Sequence, residues 1–231
     1  MLKKMLMTVV LSSNVLVLTG AEMYDAAYKA GREAEKNNDF PAAIEAYQEA
    51  AELAGENEAV KAAMLCHQAE AQRRAKQYDN AIATYRKVLE VEKGGVNEKG
   101  LSQLNIGTCL MLQGKYQEAI AEYEKVMSIE KVASYHKSGA LLNIGNCFRI
   151  QKRHPEAVSA YGKVLTLDNP VPGDVIEALR QTGLCLYLTN KYLEAKASYE
   201  KAIASKGIQG WQKKDCQNML KKIEAALSKA E

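Results

Sequence analysis

Apolar and polar residues are distributed along this chain with helical spacing, in blocks that repeat. From Leu101 to Leu112, from Leu141 to Ile150 and from Ala119 to Val126, apolar and small residues recur three and four positions apart, the pattern of a helix with one buried face. An aromatic ring stands at Phe40, Tyr78, Tyr116 and Tyr192, and His154 fills the fourth of five places at a constant step of 38 residues. Alanine follows three residues later at Ala43, Ala81, Ala119, Ala157 and Ala195, and tyrosine seven residues later at Tyr47, Tyr85, Tyr123, Tyr161 and Tyr199. Ten residues after the ring comes a small or β-branched apolar residue: Ala50, Val88, Val126, Val164 or Ala202. Nine before it comes a small one: Gly31, Ala69, Gly107, Gly145 or Gly183.

Helical periodicity on both sides of each ring predicts a pair of helices per unit. The pair is joined at "NNDFPAA", "AKQYDNA", "QGKYQEA", "QKRHPEA" and "TNKYLEA". Pro41 and Pro155 directly follow the ring, where the first turn of a helix has amides without intrahelical partners and proline costs little. Asn57, Asn97, Ser134 and Asp174 are the expected N-caps of the helices that open the next units. A last amphipathic helix, Trp211 to Ala230, with Cys216, Met219, Leu220, Ile223 and Leu227 on one side, is expected to cap the stack.

Numbering the units from Tyr24, Ala62, Gly100, Ser138 and Ile176 puts the small residue at the eighth place, the ring at the seventeenth, alanine at the twentieth and tyrosine at the twenty-fourth. This pattern resembles the tetratricopeptide repeat and covers roughly residues 24–210. The resemblance implies an all-α fold, a right-handed alpha-alpha superhelix of five helical hairpins plus a C-terminal capping helix. The units are 24–61, 62–99, 100–137, 138–175 and 176–210, followed by a cap at 211–231. The period departs from the 34 residues usual for the family, and the four extra residues are expected between the second helix of one unit and the first of the next, in helix or loop. A weaker similarity is to exported bacterial proteins of this type that work in cell-envelope assembly and use lengthened repeats.

The N-terminus adds a location. Lys3 and Lys4 precede an apolar run from Met5 to Leu18 and the small residues Gly20 and Ala21, the layout of a signal peptide over 1–21 with cleavage after Gly20 or Ala21. An uncleaved apolar helix is the alternative, although the run is short for a span and Ser12, Ser13 and Asn14 interrupt it. The expected location is the periplasm or the extracellular space, without stable membrane insertion once the signal is removed. The formal net charge of +3 argues against nucleic-acid binding by bulk electrostatics.

Candidate chemistry is weak. Cys109, Cys147 and Cys185 share one place of successive units; equivalent residues of packed helices lie about 8–10 Å apart or more, beyond the reach of a disulfide, so they read as buried free thiols. His67, His136 and His154 are scattered and no metal-ligand spacing occurs. "NIGTC" and "NIGNC" carry one glycine each inside a helix, unlike a phosphate loop. No catalytic constellation is evident, so neither an enzyme nor a cofactor is expected.

The surface remains. In the family, the concave face is lined by the second, fifth, sixth, ninth, twelfth and thirteenth places of the first helices. Asn105, Asn143 and Gln181 share the sixth place, a row of amides able to donate to and accept from a peptide backbone, with Thr108 and Asn146 at the ninth. Arg73, Arg149 and Arg180 supply positive charge and Leu104 and Leu142 supply apolar anchors, with Leu101, Met111, Leu112, Ile150 and Tyr187 nearby. Some family members clamp a partner's C-terminal carboxylate there. Asn146 resembles one asparagine of that clamp, but Leu142 stands where the clamp has lysine. The reading is a noncatalytic scaffold that holds an unidentified protein or peptide partner, and the alternative is a structural envelope protein that self-assembles into a homo-oligomer through the apolar part of the same surface or an incompletely capped end.

Overall fold

The computed structural model describes residues 7–11, 14–18 and 20–229, with side chains from Met23 onward. All side chains of the expected signal segment, residues 1–21, and its residues 1–6, 12–13 and 19 altogether, therefore lie outside the described residues. Its backbone forms two short strands, β1 (Met7–Leu11) and β2 (Asn14–Leu18), paired antiparallel with Met7 opposite Leu18.

The other regular elements among the described residues are helices. The pairs are α1 (Gly20–Lys36) with α2 (Phe40–Leu53), α3 (Glu58–Arg74) with α4 (Tyr78–Glu90), and α5 (Val96–Leu112) with α6 (Tyr116–Ser128). They continue as α7 (Ser134–Ile150) with α8 (His154–Val164), and α9 (Pro172–Leu188) with α10 (Tyr192–Ala204), before α11 (Gly210–Leu227). This is the expected all-α architecture of five helical hairpins and a terminal helix. The repeating ring is the first residue of every second helix. Each first helix has 17 residues, and the four extra residues of the unit form its opening turn, as at Val96–Lys99 and Ser134–Lys137.

The turn inside each pair has one design. The first helix ends with a residue at positive φ: Asn38, Lys76, Gly114, Lys152 or Asn190, with φ between 53° and 78° in this set and in Asn169 and Lys131. The next amide reaches back five residues, from Asp39 to Ala34, Gln77 to Gln72, Lys115 to Leu110, Arg153 to Phe148 and Lys191 to Leu186, at 2.8–2.9 Å. These bonds close the helix ends by the Schellman arrangement and turn the chain back at a fixed angle.

The N-cap expectation holds only for Asn57, whose side chain accepts from the Val60 amide. Asn97 lies inside α5, Ser134 is the first helical residue of α7 and bonds the Asp168 carbonyl, and Asp174 lies in the first turn of α9 and accepts from Ser138. The lengthened first helices begin earlier than the caps were placed.

The chain divides into two compact units, Met1–Cys109 and Leu110–Glu231. In the first, Ala43, Tyr47, Ala50, Ala62, Met64 and Leu65 form a core. In the second, Leu179, Leu186, Tyr199, Cys216 and Ile223 join α9, α10 and α11. The repeating tyrosines fill the seam between paired helices, fully buried at Tyr47, Tyr85, Tyr123 and Tyr161. Opposite Tyr47, Tyr161 and Tyr199 the first helix is pared to glycine: a methyl group on Gly31 would come within 2.6 Å of the Tyr47 ring.

The terminal helix α11 starts 38 residues after α9 and keeps the face a first helix turns to the preceding pair, with Cys216 and Ile223 buried. At the eighth place, where other units have glycine or alanine, it has the exposed Lys221. It is a first helix without the recess for a following tyrosine.

Candidate peptide-binding face

The first helices present ten expected contact residues, and all ten are half-buried. In the first unit, Arg73 is held by Glu70 through two bonds of 2.9 and 2.5 Å. This bonding pushes the Arg73 pKa further up, so the group stays charged. The Asn105 amide donates to the Tyr85 hydroxyl at 3.1 Å, while that hydroxyl donates to Glu70 at 3.2 Å. Thr108 bonds back to the Leu104 carbonyl in its own helix. Leu104 supplies apolar surface beside them.

In the second unit, the repeated tyrosine again points its hydroxyl toward the ninth place. Tyr161 donates to Asn146 Oδ1 at 2.9 Å, and burial raises the Tyr161 pKa strongly, so it remains a neutral donor. The nearby Arg149 guanidinium opposes that shift, its buried Nε has no partner, and it forms no ion pair among the described residues. Asn143, one turn before Asn146, is half-buried and makes no hydrogen bond among the described residues. Asn143, Asn146 and Arg149 therefore stand three residues apart along one side of α7, with Leu142 beside them.

Arg180 is differently placed. It bonds Glu177 at 2.5 Å and Asp215 at 2.6 Å, and lies over the Trp211 ring at 5.3 Å, which ties α9 to α11. Gln181 donates to Glu177 at 2.7 Å, and its buried Oε1 lacks a partner. Sequence reasoning missed Glu70, Tyr85, Tyr161, Glu177 and Asp215 as partners of the contact residues. Two had a signal, since Glu70 and Glu177 each precede an arginine by three residues, the spacing of neighbours on a helix.

The five cysteines are free and buried, as read for Cys109, Cys147 and Cys185. Burial pushes the thiols of Cys66, Cys109, Cys147 and Cys185 up to about 11, away from reactive thiolate. Among the described residues, no group of three or more His, Cys, Asp or Glu side chains is placed to hold a metal, and no helix is long and apolar enough to cross a membrane. An open depression of about 700 Å³ lies between α2, α3 and α4, lined in part by Glu52, Glu58, Lys61, Leu65 and Glu90, and contains none of the ten residues.

Tetratricopeptide-repeat models match residues 28–96, 68–127, 98–169 and 137–206, an unbroken run over most of the chain. The chain belongs to the tetratricopeptide-repeat family. The family is characteristically noncatalytic. The fold of this tetratricopeptide-repeat protein is similar to that of the MamA protein, at 18% identity and a TM-score of 0.58 over 80% of this chain and 92% of that one. It is similar to a tetratricopeptide repeat protein from Parabacteroides merdae, at 15% identity and a TM-score of 0.62 over 90% and 76%. It is also similar to pilF of Pseudomonas aeruginosa, at 17% identity and a TM-score of 0.60 over 91% and 93%. No curated protein sequence matches the chain.

Proposed function

We propose that the protein is a noncatalytic scaffold that binds a protein or peptide partner on the inner side of its first helices, with α7 as the principal contact. The observation that carries this reading is the row of Asn143, Asn146 and Arg149, half-buried, with one amide unbonded and a guanidinium without a carboxylate. Asn143 can both donate to and accept from a peptide backbone. Arg149 offers planar donors to a carboxylate of the partner. Leu142 supplies a half-buried aliphatic contact beside them. Arg73 and Arg180 already have acidic partners, so Arg149 dominates charge selection. In the first unit, Asn105, Thr108 and Leu104 provide a second set of contacts.

Export is part of the proposal, supported by the layout of Lys3, Lys4 and the apolar run to Leu18. Fractionation of cells expressing the full chain tests it, and a cytoplasmic product of full length would contradict it.

The binding reading is tested by panning a random-peptide display library on the wild type and on an Asn143→Ala/Arg149→Ala variant whose helical circular dichroism is unchanged. Peptides enriched on the wild type and lost on the variant are the expected result. Equal enrichment on both, or none on either, sinks the reading.

A further inference from the structure

The open depression of about 700 Å³ between α2, α3 and α4 lies within the first compact unit and has an apolar floor of Ala51, Leu65 and Val91. Ala51 and Leu65 are buried and Val91 is half-buried. Small-molecule sites span about 300–1,000 Å³, so the space suits a whole small ligand. Leu65 and Gln68, which α3 contributes, stand at the fourth and seventh places of their unit, and neither place belongs to the concave face.

Gln68 lines this depression and is only 8% exposed. Its neighbours fix which way its amide is turned. Gln48 donates through Nε2 to Glu52 at 3.1 Å, because a carboxylate only accepts, and so presents its own oxygen to Gln68. Gln68 in turn donates through Nε2, at 3.4 Å, and its Oε1 accepts no hydrogen bond among the described residues. Burying an acceptor without a donor is costly. The fold does not demand it, since the third and fourth units have the buried Ile106 and Ile144 at the same place.

Carboxylates surround the floor. Glu52 stands on α2, Glu58 on α3, and Glu90 and Glu92 at and just beyond the end of α4. Glu58 accepts from the Lys93 amide at 2.7 Å. Lys61 and Lys87 also line the space but pair with none of the four among the described residues, and four carboxylates against two ammonium groups leave a net charge of −2. No three acidic groups among the described residues are placed to hold one metal ion, so a compact cation does not satisfy them. We propose that the depression binds a free aliphatic polyamine. Such a molecule is long enough to reach carboxylates on different helices. Its ammonium groups supply the donors that the carboxylates and the Gln68 oxygen lack, and the methylene chain between them lies on Ala51, Leu65 and Val91. The proposal is independent of the peptide-binding reading and shares no residue with it.

The probe is spermidine, titrated into the full chain by isothermal calorimetry. Saturable binding is expected, weakened about tenfold by Glu90→Gln/Glu92→Gln and about threefold or more by Gln68→Ile. Both glutamates are exposed, so the double variant serves if Gln68→Ile fails to fold. Lys61→Gln/Lys87→Gln removes like charge and strengthens binding, whereas rising salt weakens it. Glu45→Gln/Glu49→Gln, at exposed positions of α2 outside the depression, leaves it unchanged, as does Asn143→Ala/Arg149→Ala. Absence of binding, or equal binding by the depression variants, overturns the proposal. Equal weakening by Glu45→Gln/Glu49→Gln reveals a diffuse attraction to acidic surface and overturns it too. A blocked Lys-Ala-Lys peptide that binds more tightly than spermidine makes a partner's lysines the source of the ammonium groups, and also overturns the free polyamine.

Discussion

Gly183 lies so close beneath the ring of Tyr199 that a methyl group there would sit 2.8 Å from the Cε2 atom. Gly145 and Tyr161 repeat the relationship one unit earlier. Glycine inside a helix costs about 1 kcal/mol relative to alanine, and close approach of the paired helix offsets that cost. Gly183→Ala is expected to destabilise the protein by about 1–3 kcal/mol despite its better helix propensity, because the seam is overpacked. Ala69, at the same place opposite Tyr85, already has its methyl group and is buried. Ala69→Gly should therefore also destabilise, by about 1 kcal/mol, through propensity alone. Urea unfolding of both variants checks this, and a stabilising Gly183→Ala would mean the seam can open at little cost.

The turns within the pairs make a second prediction. Lys76 and Lys152 take φ values of 61° and 59°, a region that strains any residue with a Cβ, while Gly114 occupies the same place without strain. Lys152→Gly should raise stability by about 0.5–1 kcal/mol, the relief of strain exceeding the added freedom of the unfolded chain. Gly114→Lys should lower it by a similar amount. The thermal midpoints of the two variants must move in opposite directions.

These two cases show where the sequence was legible. The places of the small residue and of the tyrosine could be read because both recur every 38 residues, and the same step put the ring at the join of each pair, but that one packs on the other is seen only in the fold. The backward turn at Gly114, Asn38 and Asn190 has suitable residues, but Lys76 and Lys152 give no sign of positive φ, which the Schellman bonds impose. Asn97, Ser134 and Asp174 misled because local capping preference competes with the propagation of a helix whose other side is packed. The expected contact residues lie on the first helices, but their partners could not be read, since Tyr161 with Asn146 and Asp215 with Arg180 are brought together only by the pairing of helices. A row of amides in one dimension became, in three, a set of differently engaged groups.

His67 gives a pH dependence. Its ring lies 5.1 Å from Tyr47 and 5.5 Å from Tyr28, and burial lowers its pKa below 6.5. Glu35 and Glu70 oppose that shift and Arg32 adds to it. The unfolded chain therefore takes up the proton at higher pH than the folded one. Stability from the neutral ring is complete above the ordinary histidine range and is lost as pH falls through the folded value. His67→Asn, the residue at this place in the third and fourth units, should flatten the acid side of the profile. Urea midpoints between about pH 7.5 and 5 test it, and parallel profiles for both proteins would remove His67 as the cause.

Arg180 separates an anchoring role from a recognition role. Its side chain is 15% exposed and joins Glu177 within α9 through one terminal nitrogen, and the 49% exposed Asp215 through the other while lying over the Trp211 ring, so the second nitrogen and the ring contact serve the docking of α11. Asp215 is half in water, which limits the value of the pair to about 1 kcal/mol. Asp215→Asn should therefore loosen α11 without touching the α7 and α8 pair: amide exchange accelerates about fivefold from Gly210 to Leu227 and stays constant in α7. Arg180→Ala should do the same, with a larger effect because the contact with the Trp211 ring is lost as well. If exchange in α11 is unchanged by both substitutions, the interaction with Asp215 contributes nothing to docking, and the guanidinium is available to a partner carboxylate. If exchange rises while peptide enrichment persists in the display experiment, Arg180 anchors the terminal helix and Arg149 reads the partner's charge.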